Sequence, residues 1–108
     1  MAKYENEDFE GAVEDFSKAL KVKSDYLKAM NNRASAYIKM EEYNKAIQDC
    51  NTIIKKDPKY GFAYYNRGIA KEMIRDEEGA CNDWVRATQL GVAVAEDYYN
   101  STCNQKSW

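Results

Sequence analysis

The stretch LKAMNNRASAYIKMEEYNKAIQDCNTIIKKDPKY, residues 27–60, is one period of a chain that repeats itself at an offset of 34 residues. Ala46 has counterparts in Ala12 and Ala80, Asp49 in Asp15 and Asp83, Cys50 in Phe16 and Trp84, and Ile53 in Ala19 and Ala87. In the other half of the period, Met30-Asn31-Asn32-Arg33-Ala34 aligns with Tyr64-Tyr65-Asn66-Arg67-Gly68, and Tyr64-Tyr65-Asn66 returns unchanged as Tyr98-Tyr99-Asn100. A fixed period of this length marks stacked supersecondary units that bury their apolar faces against one another.

Within each period the apolar residues fall at steps of three and four, which is helical spacing. Phe9, Ala12, Val13, Phe16, Ala19 and Leu20 form one stripe, and Tyr43, Ala46, Ile47, Cys50, Ile53 and Ile54 repeat it. Ala80, Cys81, Trp84 and Ala87 make a third copy. Small residues (Ala34 and Gly68 in one helix type; Ala12, Ala46 and Ala80 in the other) allow close helix–helix approach. Lys56-Asp57-Pro58-Lys59 ends one helix, with the proline suited to the first turn of the next element. Gly91 suits a C-terminal cap, and Asp76-Glu77-Glu78-Gly79 reads as a polar turn between helices. The spacing predicts helices over 8–22, 27–40, 43–56, 61–74, 77–90 and 93–104.

Composition narrows the function classes. Apolar residues are 44% and charged residues 31% of the 108, which places the chain among globular rather than disordered sequences. A net charge of −2 offers no general attraction to nucleic acid or anionic membrane. No apolar run has the length of a membrane span. The polar N-terminus does not read as a signal peptide, and the expected location is the cytoplasm. Histidine is absent, so the commonest general base and metal ligand are both missing. With no glycine-rich phosphate loop and no nucleophile–base constellation, the expectation is a protein without catalytic activity, metal or cofactor.

The period, the small residues and the proline slot together resemble the tetratricopeptide repeat. Segment 27–60 is the best copy, with Ala34, Tyr37, Ala46, Ile53 and Pro58 in signature slots. Segment 61–94 matches through Gly68, Ala80, Trp84 and Ala87, but has Lys71 and Val92 where tyrosine and proline are usual. The resemblance implies one domain over 1–108, an all-α, right-handed α-solenoid of antiparallel helix hairpins with about six helices. Residues 8–26 would be the second helix of an incomplete first repeat, and 95–105 a C-terminal capping helix. It also implies a non-catalytic interaction module holding an extended peptide or partner helix in a concave groove lined by first-type helices. The groove side would carry Lys28, Asn31, Asn32, Ser35 and Lys39, then Phe62, Tyr65, Asn66, Ile69 and Met73, then Glu96, Tyr99, Asn100 and Cys103. Asn32, Asn66 and Asn100 share one slot and would pair with a ligand's peptide bonds; the same slot also suits helix–helix hydrogen bonding. Tyr65 and Tyr99 flank this ladder. Some members clamp acidic chaperone tails between cations; here Phe62 and Asn66 stand where lysine and arginine would be needed, which disfavours that ligand. The alternative is self-assembly, since Phe9, Val13 and Phe16 leave an apolar first face that residues 1–7, more chain or a homodimer partner would cover.

Cys81 and Cys103 lie where they could meet in a disulfide, but the expected role is that of two small buried apolar residues. Cys50 is expected in the core. Asp15, Asp49 and Asp83 are expected to be solvated charges at the edge. The sequon Asn100-Ser101-Thr102 lies in a predicted packed helix and is taken as incidental. Trp108 ends a polar tail.

Overall fold

Six helices account for nearly all of residues 8–103, which are the residues the computed structural model describes; among them there is no strand. They are α1 (Phe9–Val22), α2 (Leu27–Lys39), α3 (Tyr43–Lys56), α4 (Gly61–Met73), α5 (Glu77–Gln89) and α6 (Ala93–Thr102). Each lies within a residue or two of its expected span, and successive helices pack against each other as an all-α solenoid of hairpins. Residues 1–7 and Trp108 lie outside the described part.

The helix ends follow from local chemistry. Asp8 and Asp76, in one slot of the repeat, cap α1 and α5: their carboxylates accept from Gly11 N at 2.8 Å and Gly79 N at 3.0 Å. The stretch from Asp76 to Gly79 is therefore a cap and first turn rather than a separate turn. Past α5, Gly91 adopts φ +98°, as a C-terminal cap should, while Val92 N donates back to Ala87 O at 3.0 Å. After α2 and α4 the same motif is closed by Glu41 and Arg75, at φ 63° and 73°, where glycine would be the relaxed choice. Pro58 departs from expectation. It sits in the turn before α4, where Tyr60 N donates to Asp57 O at 3.0 Å and Lys59 N to the Asp57 carboxylate at 3.1 Å.

Packing is set by complementary sizes at repeat-equivalent positions. Ala34, Ala46, Cys50 and Ile53 are fully buried in a first cluster around α2, α3 and α4. In the second cluster Trp84 stands in the slot of Cys50 and is also fully buried. Its indole fits because Gly68 occupies the slot of Ala34: a Cβ on Gly68 would lie 2.5 Å from Trp84 Nε1 and 2.8 Å from Cδ1. The buried Cys50 thiol has its pKa pushed up to about 12 by burial first and by Asp49 second, so it stays protonated and inert at ordinary pH.

Two sequence expectations are overturned. Asp49 and Asp83 are buried, at 6% and 4% exposure, rather than solvated. Arg33 grips Asp49 with two hydrogen bonds of 2.8 and 2.6 Å, and Arg67 grips Asp83 with two of 2.9 and 2.8 Å. The remaining arm of each guanidinium turns to the preceding repeat, reaching Ser17 Oγ at 3.0 Å and Asn51 Oδ1 at 2.8 Å. Hydrogen bonding to the aspartate holds both arginine pKa values above their ordinary value. Asp15 alone remains exposed, because no described guanidinium reaches it. The second correction concerns Cys81 and Cys103, which form a disulfide between α5 and the end of α6, with Cα atoms 5.9 Å apart. Closing a loop over a separation of 22 residues removes unfolded-state entropy worth roughly 3 kcal/mol. That matters for α6, whose only buried residue is Ala95.

Candidate peptide-binding face

The first-type helices α2, α4 and α6 lie side by side. Asn66 Nδ2 donates to Asn31 Oδ1 at 2.9 Å, joining α4 to α2. The Tyr65 and Tyr98 rings meet edge to face at 5.3 Å between centroids, joining α4 to α6. Burial of Tyr65 first, and its Tyr98 neighbour second, raise its phenol pKa, so this contact is neutral.

This arrangement sorts the expected contact residues. Lys28, Asn32 and Lys39 are exposed on α2, and Ser35 is half-buried. On α4, Phe62 and Met73 are each 52% exposed. Phe62 packs edgewise on Tyr65 at 6.3 Å, and half-buried Ile69 and Tyr65 also support the second core cluster. Phe62, Ile69 and Met73 thus form an apolar stripe down α4. On α6, Glu96 and Asn100 are exposed, whereas Tyr99 is half-buried. Cys103 faces the core at 1% exposure.

The asparagine ladder divides. Asn66 is 7% exposed and uses its amide on Asn31, so at this rung the slot serves helix–helix contact. Asn32 and Asn100 keep their amides outward.

Val85 belongs to the picture and has no apolar counterpart in its column, which holds Ser17 and Asn51. It is 38% exposed and lines two adjoining crevices with Tyr99. One, of about 220 Å³, also touches Glu78, Cys81 and Asn82. The other, of about 290 Å³, also touches Thr88, Gln89, Glu96 and Asn100. Ser101 occupies the slot of Arg33 and Arg67, so the arginine contact that those residues make to Ser17 and Asn51 has no counterpart at Val85. Among the described residues no group of histidine, cysteine, aspartate and glutamate is placed to hold a metal ion.

Comparison with known proteins agrees with this architecture. Residues 27–60 match the tetratricopeptide repeat family. Hsp70-Hsp90 organizing protein 1 of Arabidopsis thaliana is 34% identical over 55 residues, covering 51% of this chain and 10% of that protein. The chain spans about a tenth of the length of such curated relatives. Among solved structures, the Arabidopsis OM64 TPR domain superposes with a TM-score of 0.85 at 25% identity, covering 97% of this chain and 88% of that one. The first TPR of Spaghetti (RPAP3), bound to HSP90 peptide SRMEEVD, superposes with a TM-score of 0.82 at 24% identity over 89% of this chain and 78% of that one. At that identity the likeness concerns the fold. The period, the hairpins and these matches together make residues 27–60 a tetratricopeptide repeat and give the described chain the fold of tetratricopeptide repeat domains.

Proposed function

We propose that the α2–α4–α6 face is a groove that binds an extended peptide or partner helix of another protein, and that the chain acts as a non-catalytic interaction module. The observation carrying this reading is the α4 stripe: Phe62 and Met73 stay half exposed in the middle of the face, flanked by outward-facing Asn32 and Asn100. A large apolar side chain left in water is where burial by a partner contributes most. The tail clamp of chaperone-binding relatives does not fit, because a carboxylate pair needs cations where Phe62 and Asn66 stand, and Asn66 is already committed to Asn31. Peptides selected from a random display library on the wild-type protein should lose affinity by roughly tenfold or more on Phe62→Asp. Val22→Asp, at a position 89% exposed on α1, should leave them bound. Unchanged binding to a folded Phe62→Asp protein would overturn the groove.

A second reading has its own observation. Helix α1 buries no residue completely, and Phe9, Val13 and Phe16 remain half-buried on one stripe. We infer that this face could instead join two copies. Light scattering at two concentrations should then show a concentration-dependent dimer that Phe16→Asp abolishes; a strict monomer removes this reading. No described helix is long and apolar enough to cross a membrane. A cytoplasmic location would leave the Cys81–Cys103 bond open to reduction, whereas an oxidising one would preserve it.

A further inference from the structure

One slot of the repeat carries three different side chains across the face: Lys28 on α2, Phe62 on α4 and Glu96 on α6. All three are exposed, and among the described residues neither Lys28 nor Glu96 has an ion-pair partner. Glu96 in the first turn of α6 has a local reason to be there, since the helix dipole favours an acid at an N-terminus. Lys28 has none. It lies in the first turn of α2, where no acid is present and a cation opposes the dipole. The rest of the face follows the same gradient, with Lys39 on α2 and the apolar Ile69 and Met73 on α4. Glu96 also borders a crevice of about 290 Å³ that opens between α5 and α6 and is walled by Val85, Gln89 and Tyr99.

Helix axes about 10 Å apart correspond to about three residues of extended chain at roughly 3.3 Å each. We propose that the groove selects an extended segment of a partner protein with an acidic residue, a large apolar residue and a basic residue at three-residue spacing. The acid meets Lys28, the apolar side chain covers Phe62 and the α4 stripe, and the basic side chain meets Glu96. This inference rests on the groove reading and adds to it the chemistry of the ligand.

The test uses end-blocked peptides of the form acidic–x–x–leucine–x–x–arginine, the reverse order, and a scramble with the two charges adjacent, each measured by fluorescence anisotropy. One direction should bind roughly three- to tenfold more tightly than the scramble, the effect expected of two exposed ion pairs. In the double reversal Lys28→Glu with Glu96→Lys, checked for folding by circular dichroism, the preferred direction should invert. Peptides that bind with equal affinity in both directions, or a preference unmoved by the reversal, overturn the charge pattern and leave the groove standing. No binding of any peptide to the wild type overturns the proposed pattern, and the groove reading is then decided separately by the Phe62→Asp comparison on library-selected peptides.

Discussion

Replacing Trp84 by alanine should cost about 3–5 kcal/mol and leave α4, α5 and α6 without a common core. Among the described residues Trp84 is the largest fully buried side chain, and it belongs to the second cluster. It packs against Tyr98 with centroids 5.3 Å apart and lies directly on the backbone of Gly68. On the Gly68 side of the cavity left behind there is no side chain to move in. The complementary change, Gly68→Ala, fills the same contact from the other side. The new Cβ, 2.5 Å from Trp84 Nε1, forces the indole or the helix to move. Overpacking of this kind costs about 1–3 kcal/mol, against a gain of about 1 kcal/mol in helix propensity. Urea unfolding of Trp84→Ala, Gly68→Ala, Trp84→Phe and the double variant Gly68→Ala with Trp84→Phe tests the arrangement. The double variant should be more stable than additivity allows, because the smaller ring vacates the space that the methyl needs. Strict additivity, or a loss below about 1 kcal/mol for Trp84→Ala, would show that these side chains do not share one tight contact.

The three aspartates of one repeat column should behave as two classes. Asp83→Ala removes the partner of Arg67, whose side chain is 20% exposed, and also that of Lys71, whose Nζ lies 3.5 Å from the carboxylate. Two cations then remain close together and partly desolvated. Breaking a buried pair from one side costs about 3–5 kcal/mol, and access of water to the guanidinium places this one near 3 kcal/mol. Asp49→Ala should lose a comparable amount through Arg33, which keeps its bond to Ser17. Asp15→Ala, at the exposed position, should stay within about 0.5 kcal/mol of wild type. Thermal and urea denaturation of the three variants distinguish a built lock from repeated surface charge; equal small losses would remove the lock.

These two experiments probe features that the sequence disclosed unequally. Trp84 as a core position and Gly68 as a site of close helix approach were each legible in the repeat columns, whereas their direct contact was not. The arginine lock was half legible: Arg33, Arg67 and the aspartates stood in columns, but nothing local said that Asp49 and Asp83 face inward. Of the binding face, Phe62, Lys28 and Asn100 lie outward as helical spacing requires. Asn66 shows the limit, because it carries the same residue as Asn32 and Asn100 yet bonds to Asn31 in the adjacent helix. Val85 was passed over because its column holds the polar Ser17 and Asn51, and no helical spacing says that a valine there stays partly exposed.

The sequence by itself determined the period, the six helices and most of their ends, since these depend on hydrogen bonds and caps between residues a few positions apart. Tertiary structure alone decided which members of each column are used. Asp15 stays in water while Asp83 is gripped, Asn32 faces outward while Asn66 is spent, and Cys81 finds Cys103 rather than lying free. Repetition copies residue types, but burial and pairing depend on a partner in another helix, and that partner changes from one repeat to the next.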